Sequence, residues 1–230
     1  MMKPIRLSVL EVNISYHFQD KELLLLAMTH SSYSNEQKNK TRQNNERLEF
    51  LGDAVLEITV SDYLFRKYPD YDEGKMTKTR SSMVCEFTLA SCARDIHLGE
   101  YLLLSHGEDS TGGRERDSIL SDAFEALIGA IYVDGGMEMA SRFIHGYLLD
   151  DIGDRTLFYD AKTILQEMVQ ASEEGNLRYQ LIGESGPDHN KEFTVETYIG
   201  NTAYAQGKGR TKKSAEQMAA YRTLLMLKRQ

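Results

Sequence analysis

Five carboxylates sit at helical spacing inside two otherwise apolar runs of this 230-residue chain. In Asn45-Glu46-Arg47-Leu48-Glu49-Phe50-Leu51-Gly52-Asp53, the acids Glu46, Glu49 and Asp53 fall at i, i+3 and i+7. In Ser121-Asp122-Ala123-Phe124-Glu125, Asp122 and Glu125 fall at i, i+3. On a helix such spacings bring the carboxylates to one face. The apolar residues between them predict largely buried helices whose acids share that setting. Like charges ~4 Å apart repel by about 4 kcal/mol at an effective dielectric near ~20. If Glu49, Asp53, Asp122 and Glu125 converge, either some take up protons or a cation binds. Oxygen ligands without His or Cys suit Mg²⁺, with Mn²⁺ as a substitute, rather than Zn²⁺. A site of this kind supports hydrolysis of a phosphodiester by water. The competing reading is a solvated acidic stripe.

Residues 5–150 read as helix after helix. Asp20 is placed to cap one helix, and Asn44 or Asn45 to cap a long one that Pro69 ends. Further helices are expected over 73–84, 86–96, 118–133 and 137–149, the last two divided by Asp134-Gly135-Gly136. Between them, 105–117 reads as a flexible polar loop that brings Arg114 and Arg116 near a substrate. Tyr63 and Phe65 are expected in the core, and His30 as a hydrogen-bonder at a helix end. Near Gly153 the pattern changes. A helix over 160–172 is followed by period-two alternation at 177–181 and 193–199, a tight hairpin at Gly200-Asn201 into 202–206, and a last helix over 211–227. The fold class is therefore an all-α N-terminal domain over 1–152, a linker at 153–158, and an α-β-β-β-α domain over 159–230.

The net charge of −8 argues against a polyanion partner only until its distribution is considered. Residues 157–230 carry a net +1 and the rest −9. Lys208, Arg210, Lys212, Lys213, Arg222, Lys228 and Arg229 crowd the last stretch against Glu216 alone. A local basic footprint is what nucleic-acid binding needs. No apolar run approaches a membrane span, the longest being 23–28, and Glu11 and Asn13 interrupt any signal-peptide core. Cys85 and Cys92 read as small core residues on one side of a helix in a reducing compartment. These features place the chain in the cytoplasm, off the membrane.

The C-terminal motifs carry a resemblance. Gly186-Pro187-Asp188-His189, Lys191 and Phe193, then Gly207-Lys208-Gly209-Arg210-Thr211-Lys212-Lys213-Ser214-Ala215-Glu216, resemble a double-stranded RNA-binding domain, as do Asp160, Lys162, Thr163, Leu165, Gln166 and Glu167 at its opening helix. Lys212 and Lys213 at a helix N-terminus, extended by Lys208 and Arg210, face phosphate favourably. Pro187, Asp188 and His189, with Gln166 and Glu167, are placed to reach 2′-hydroxyls in minor grooves.

The N-terminal motifs resemble the ribonuclease III family. The run Asn45 to Asp53 is its hallmark, and Thr29-His30-Ser31, Glu73-Gly74, Gly112-Gly113-Arg114-Glu115 and Asp122-Ala123-Phe124-Glu125-Ala126 follow in order. The resemblance implies that Glu49, Asp53, Asp122 and Glu125 bind catalytic metal, with Asp53 and Glu125 catalytic and Glu46 and Glu73 as possible supporting acids. It implies an endoribonuclease that processes rRNA and mRNA precursors. Such an enzyme is a homodimer cutting both strands of duplex RNA, leaving 5′-phosphate and 3′-hydroxyl ends and a two-nucleotide overhang. The alternative is a catalytically silent duplex-RNA-binding regulator. A hydrolase of other phosphoesters is a further rival.

Overall fold

Two glycines set how the long helices of the N-terminal unit cross. A Cβ on Gly52 would lie 1.8 Å from the Glu125 carbonyl oxygen, and one on Gly129 would lie 2.1 Å from that of Leu48. The computed structural model describes residues 7–36, 43–150, 161–172, 175–186, 191–209 and 211–227. It divides into two compact units, Met1–Ile152 and Gly153–Gln230. The linker expected at 153–158 lies outside the described residues.

In the first unit the helices are α1 (Leu7–Asn13), α2 (Lys21–Ala27), α3 (Ser31–Glu36), α4 (Glu46–Lys67), α5 (Glu73–Met83), α6 (Glu86–Asp95), α7 (His106–Ser110) and α8 (Asp117–Ile144). Their starts follow capping chemistry. The Glu22 N–H donates to Asp20 Oδ1 at 2.9 Å, that of Glu46 to Asn44 Oδ1 at 3.2 Å, and that of Lys75 to Asp72 Oδ1 at 2.7 Å. Helix α4 stops at Tyr68, before Pro69. Helix α8 buries Ile119, Leu120, Phe124, Leu127, Ile128 and Ile131 and forms the centre of the bundle. Gly136, at φ 78 and ψ −177, breaks it. The chain then doubles back, so that the Phe143 ring lies 5.4 Å from that of Phe124.

Several expectations need correction here. Helix α4 buries one side only: Phe50, Ile58 and Phe65 are 80%, 57% and 71% exposed, so Phe65 is not a core residue. Tyr63 does pack against the core. Segment 105–117 holds α7 and a 3-10 turn, Gly113–Glu115, cross-tied by arginines. Arg114 donates to the carbonyls of Gly99 at 2.9 Å and Leu102 at 2.8 Å and pairs with Asp109, while Arg116 pairs with Glu108. Both guanidiniums are thus committed within the protein. Cys85 precedes α6 rather than sharing a helical face with Cys92, which is fully buried in α6.

The second unit is helix α9 (Ala161–Ser172), an antiparallel sheet ordered β1 (Leu177–Ser185), β2 (Glu192–Ile199), β3 (Thr202–Gly209), and helix α10 (Lys212–Leu227). Ile199 pairs with Thr202 across the two-residue Gly200-Asn201 turn, where Gly200 takes φ 58. The two helices cover one face of the sheet through Leu165, Val169, Ile199, Ala220 and Leu224. At the start of α10, Thr211 and Ser214 cap each other: the Ser214 N–H donates to Thr211 Oγ1 and the Thr211 N–H to Ser214 Oγ, both at 3.1 Å.

The Gly52 contact is backbone against backbone, so no rotamer change relieves a new methyl group. Gly52→Ala is expected to cost at least ~3 kcal/mol, the upper range of overpacking penalties. Chemical denaturation measures it, and a midpoint equal to wild type would refute the backbone contact.

Candidate active site and nucleic-acid interface

Because Gly52 and Gly129 let the backbones of α4 and α8 touch, the acids beside that contact are brought face to face. Glu49 and Asp53 flank Gly52 on α4, and Asp122 and Glu125 lie on the facing turns of α8. Two of these carboxyls are raised by burial and by the charges beside them. Glu125 is pushed up to about 8, first by burial and then by the charges of Asp53, Asp122, Glu49 and Glu57. Glu49 is also raised, by burial, then by Asp122, Glu46 and Asp53. Glu49, Asp122 and Glu125 are half-buried and Asp53 and Glu46 exposed, so the acids line an open face rather than a closed interior.

Glu46 therefore joins the set electrostatically. Glu73 does not figure among the charges that raise Glu49 or Glu125. It opens α5, where Thr77 Oγ1 donates to its carboxylate at 3.3 Å. Two residues escaped the sequence reading. Glu57 continues the stripe one turn past Asp53, and Arg80 from α5 meets it at 2.7 Å while donating to Ser61 Oγ at 2.8 Å. The i+4 step from Asp53 to Glu57 was a signal in the sequence; the Arg80 partner was not, since it comes from another helix.

Among the described residues no three His, Cys, Asp or Glu side chains close into a cation cage. Mg²⁺ keeps several waters and is held by one or two carboxylates plus substrate phosphates, whereas a dedicated cage is a feature of other ions. An all-oxygen set whose members repel one another fits a hard divalent cation. His30 takes no part: its Nδ1 lies 2.8 Å from Ser32 Oγ at the start of α3.

On the second unit, Gln166 and Glu167 lie exposed on α9, Lys208 on β3, and Lys212 and Lys213 in the first turn of α10. A Cβ on Gly207 would lie 2.2 Å from the Ala219 nitrogen and one on Gly209 2.2 Å from Ser214 Oγ, so β3 is pressed against α10, while Lys208 between them is exposed. Lys208 pairs with Glu192 at 2.9 Å, and Glu184 is shared by Lys191 at 2.9 Å and Lys212 at 3.9 Å. Pro187, Asp188, His189 and Arg210 lie outside the described residues.

Comparison with known proteins agrees with both units. The family described as Ribonuclease-III-like matches residues 20–152, and the Double-stranded RNA binding motif matches residues 161–227. Ribonuclease 3 of Caldanaerobacter subterraneus subsp. tengcongensis is 47% identical over 224 residues, covering 96% of this chain and 98% of that one. Ribonuclease 3 of Bacillus cereus strain G9842 is 46% identical over 224 residues, covering 96% and 91%. The nuclease domain of ribonuclease III from Campylobacter jejuni superposes with a TM-score of 0.59 at 42% identity, covering 66% of this chain and 98% of that one.

The raised Glu125 links stability to pH. Folded Glu125 holds its proton up to about 8, whereas an unfolded glutamate releases it near the ordinary 4.5. Its contribution is therefore fully present below that ordinary value and is lost as pH rises through about 8. Metal-free protein should lose urea resistance between about pH 5.5 and about pH 8.5, and Glu125→Gln should lose less. Equal losses in both proteins would refute the assignment.

Proposed function

The chain belongs to the ribonuclease III family, and on that footing we propose that Glu49, Asp53, Asp122 and Glu125 form its metal-binding catalytic set, with Asp53 and Glu125 at the reacting phosphate. The protein is a double-stranded RNA endoribonuclease that acts with a divalent metal. The metal is Mg²⁺, with Mn²⁺ able to replace it, in keeping with the all-carboxylate donors. The observation that carries this reading is the elevation of Glu125 and Glu49, first by burial and then by neighbouring carboxylates that include those of the facing helix.

When bound, the cation lowers the pKa of a water and neutralises charge that develops on the phosphoryl oxygens. The rest is done by the chain. Glu49 and Asp53 on α4 and Asp122 and Glu125 on α8 are held on opposite sides of one backbone contact, so their separation is fixed before substrate arrives. Water adds to phosphorus and the bond to O3′ breaks, leaving 5′-phosphate and 3′-hydroxyl ends. Glu46 supplies further negative potential beside Glu49, and the role of Glu73 is to start α5. The duplex is gripped by Gln166, Glu167, Lys208, Lys212 and Lys213, with Pro187, Asp188, His189 and Arg210 completing the set. Precursors of ribosomal and messenger RNA are the substrates, in the cytoplasm, where reduced cysteines such as Cys85 and Cys92 are at home.

A homodimer is the working form. Phe50, Ile58 and Phe65 stand on one outer face of α4, an exposed apolar strip of the kind that marks a protein interface. A two-fold pair would present one acid set to each strand of a duplex. A solved Campylobacter jejuni nuclease domain, 44% identical with a TM-score of 0.57, is described as flexible in its region involved in dimer formation.

Glu125→Gln should bind a long RNA duplex as wild type does and lose Mg²⁺-dependent cleavage by several orders of magnitude. Wild-type protein that binds the duplex and never cuts it would favour the silent regulator instead. Phe50→Asp should sediment as a monomer, and a stable dimer of that variant would remove α4 from the interface.

A further inference from the structure

Lys162 opens α9 and belongs by position to the RNA-facing helix, yet its ammonium does not face outward. It is paired with Glu216 of α10, and both side chains are about two-thirds shielded, at 35% and 30% exposure. The same Nζ lies 4.8 Å from the centroid of the Tyr179 ring on β1. Tyr179 packs into both apolar clusters of the unit, one built on Leu165, Val169 and Leu224 and the other on Val195, Ala215 and Ala219. Its hydroxyl is buried without a hydrogen-bond partner. One cation thus touches an acid on the neighbouring helix and an aromatic face on the sheet that both helices cover.

The placement of the two partners gives this contact a purpose. Lys162 lies one helical turn before Gln166 on α9. Glu216 lies one turn past Lys212 and Lys213 on α10. A duplex reader that spans two minor grooves and the phosphates between them depends on a fixed spacing between those two groups of contacts. We infer that Lys162, Glu216 and Tyr179 form a clamp that sets this spacing, and that Lys162 is a positioning residue rather than a phosphate ligand. The inference rests on the reading of this unit as the duplex-binding one.

The sign of a single substitution separates the two roles. Glu216→Gln removes a negative charge close to a polyanion. If Lys162 were a phosphate ligand, loss of its competitor would tighten binding. As a clamp, the variant should bind a short RNA duplex about tenfold more weakly in metal-free buffer. Lys162→Met should weaken binding to the same extent while leaving the slope of log affinity against log salt unchanged. Lys212→Ala with Lys213→Ala, in contrast, should flatten that slope by about 0.9 for each phosphate that is no longer neutralised. Tyr179→Phe keeps the ring face and should match wild type, whereas Tyr179→Leu should weaken binding. The measurements use the whole protein, with thermal melting to verify that each variant is folded. Unchanged or tighter binding by Glu216→Gln, or a slope reduced by Lys162→Met, overturns the clamp. Wild-type protein that failed to bind the duplex would instead remove the reading on which the clamp rests.

Discussion

The contact between the backbones of α4 and α8 is what the rest of the nuclease unit depends on. Side-chain packing sets most helix separations, and such separations drift whenever a methyl group is added or removed. At Gly52 and Gly129 the limit is the size of the carbonyl oxygens of Glu125 and Leu48. That holds the two helices at a distance which substitutions elsewhere in the interior cannot alter. Burial at that contact, and then repulsion from the acids beside it, raise Glu125 well above an ordinary glutamate. A site with a built-in electrostatic penalty persists because the surrounding core, centred on α8, is large enough to carry it.

Much of this was legible in the residues. Spacing alone placed Glu49 beside Asp53 and Asp122 beside Glu125, because helical periodicity is a local property. The Gly200-Asn201 hairpin and the break at Asp134-Gly135-Gly136 were legible for the same reason. The errors arose where long-range contact decides. Phe65 looked like core since an apolar residue carries no record of which side of its helix is covered. The 105–117 segment looked mobile on composition, whereas its order comes from Arg114 reaching back to the carbonyls of Gly99 and Leu102. Arg80 was silent in the sequence because its partner Glu57 is supplied by another helix.

The two units illustrate opposite uses of charge. In the nuclease unit like charges are gathered on the facing turns of two helices. In the second unit opposite charges are interleaved, and the total charge of the chain says little about either. Close approach of main chain serves both: Gly52 permits α8 to reach α4, and Gly207 permits β3 to reach α10.

The pairing of Lys208 with Glu192, and of Lys212 and Lys191 with Glu184, bears on how the protein behaves among competing anions. Exposed pairs of this kind contribute little, because water and salt screen them. A free phosphate or a short acidic peptide gains little by displacing one of them. A duplex presents phosphates in a regular row and displaces several in a single event, releasing condensed counterions as it does so. On the proposed duplex-binding role of this surface, Glu184 and Glu192 set a cost that a row of phosphates meets together and a single anion meets alone.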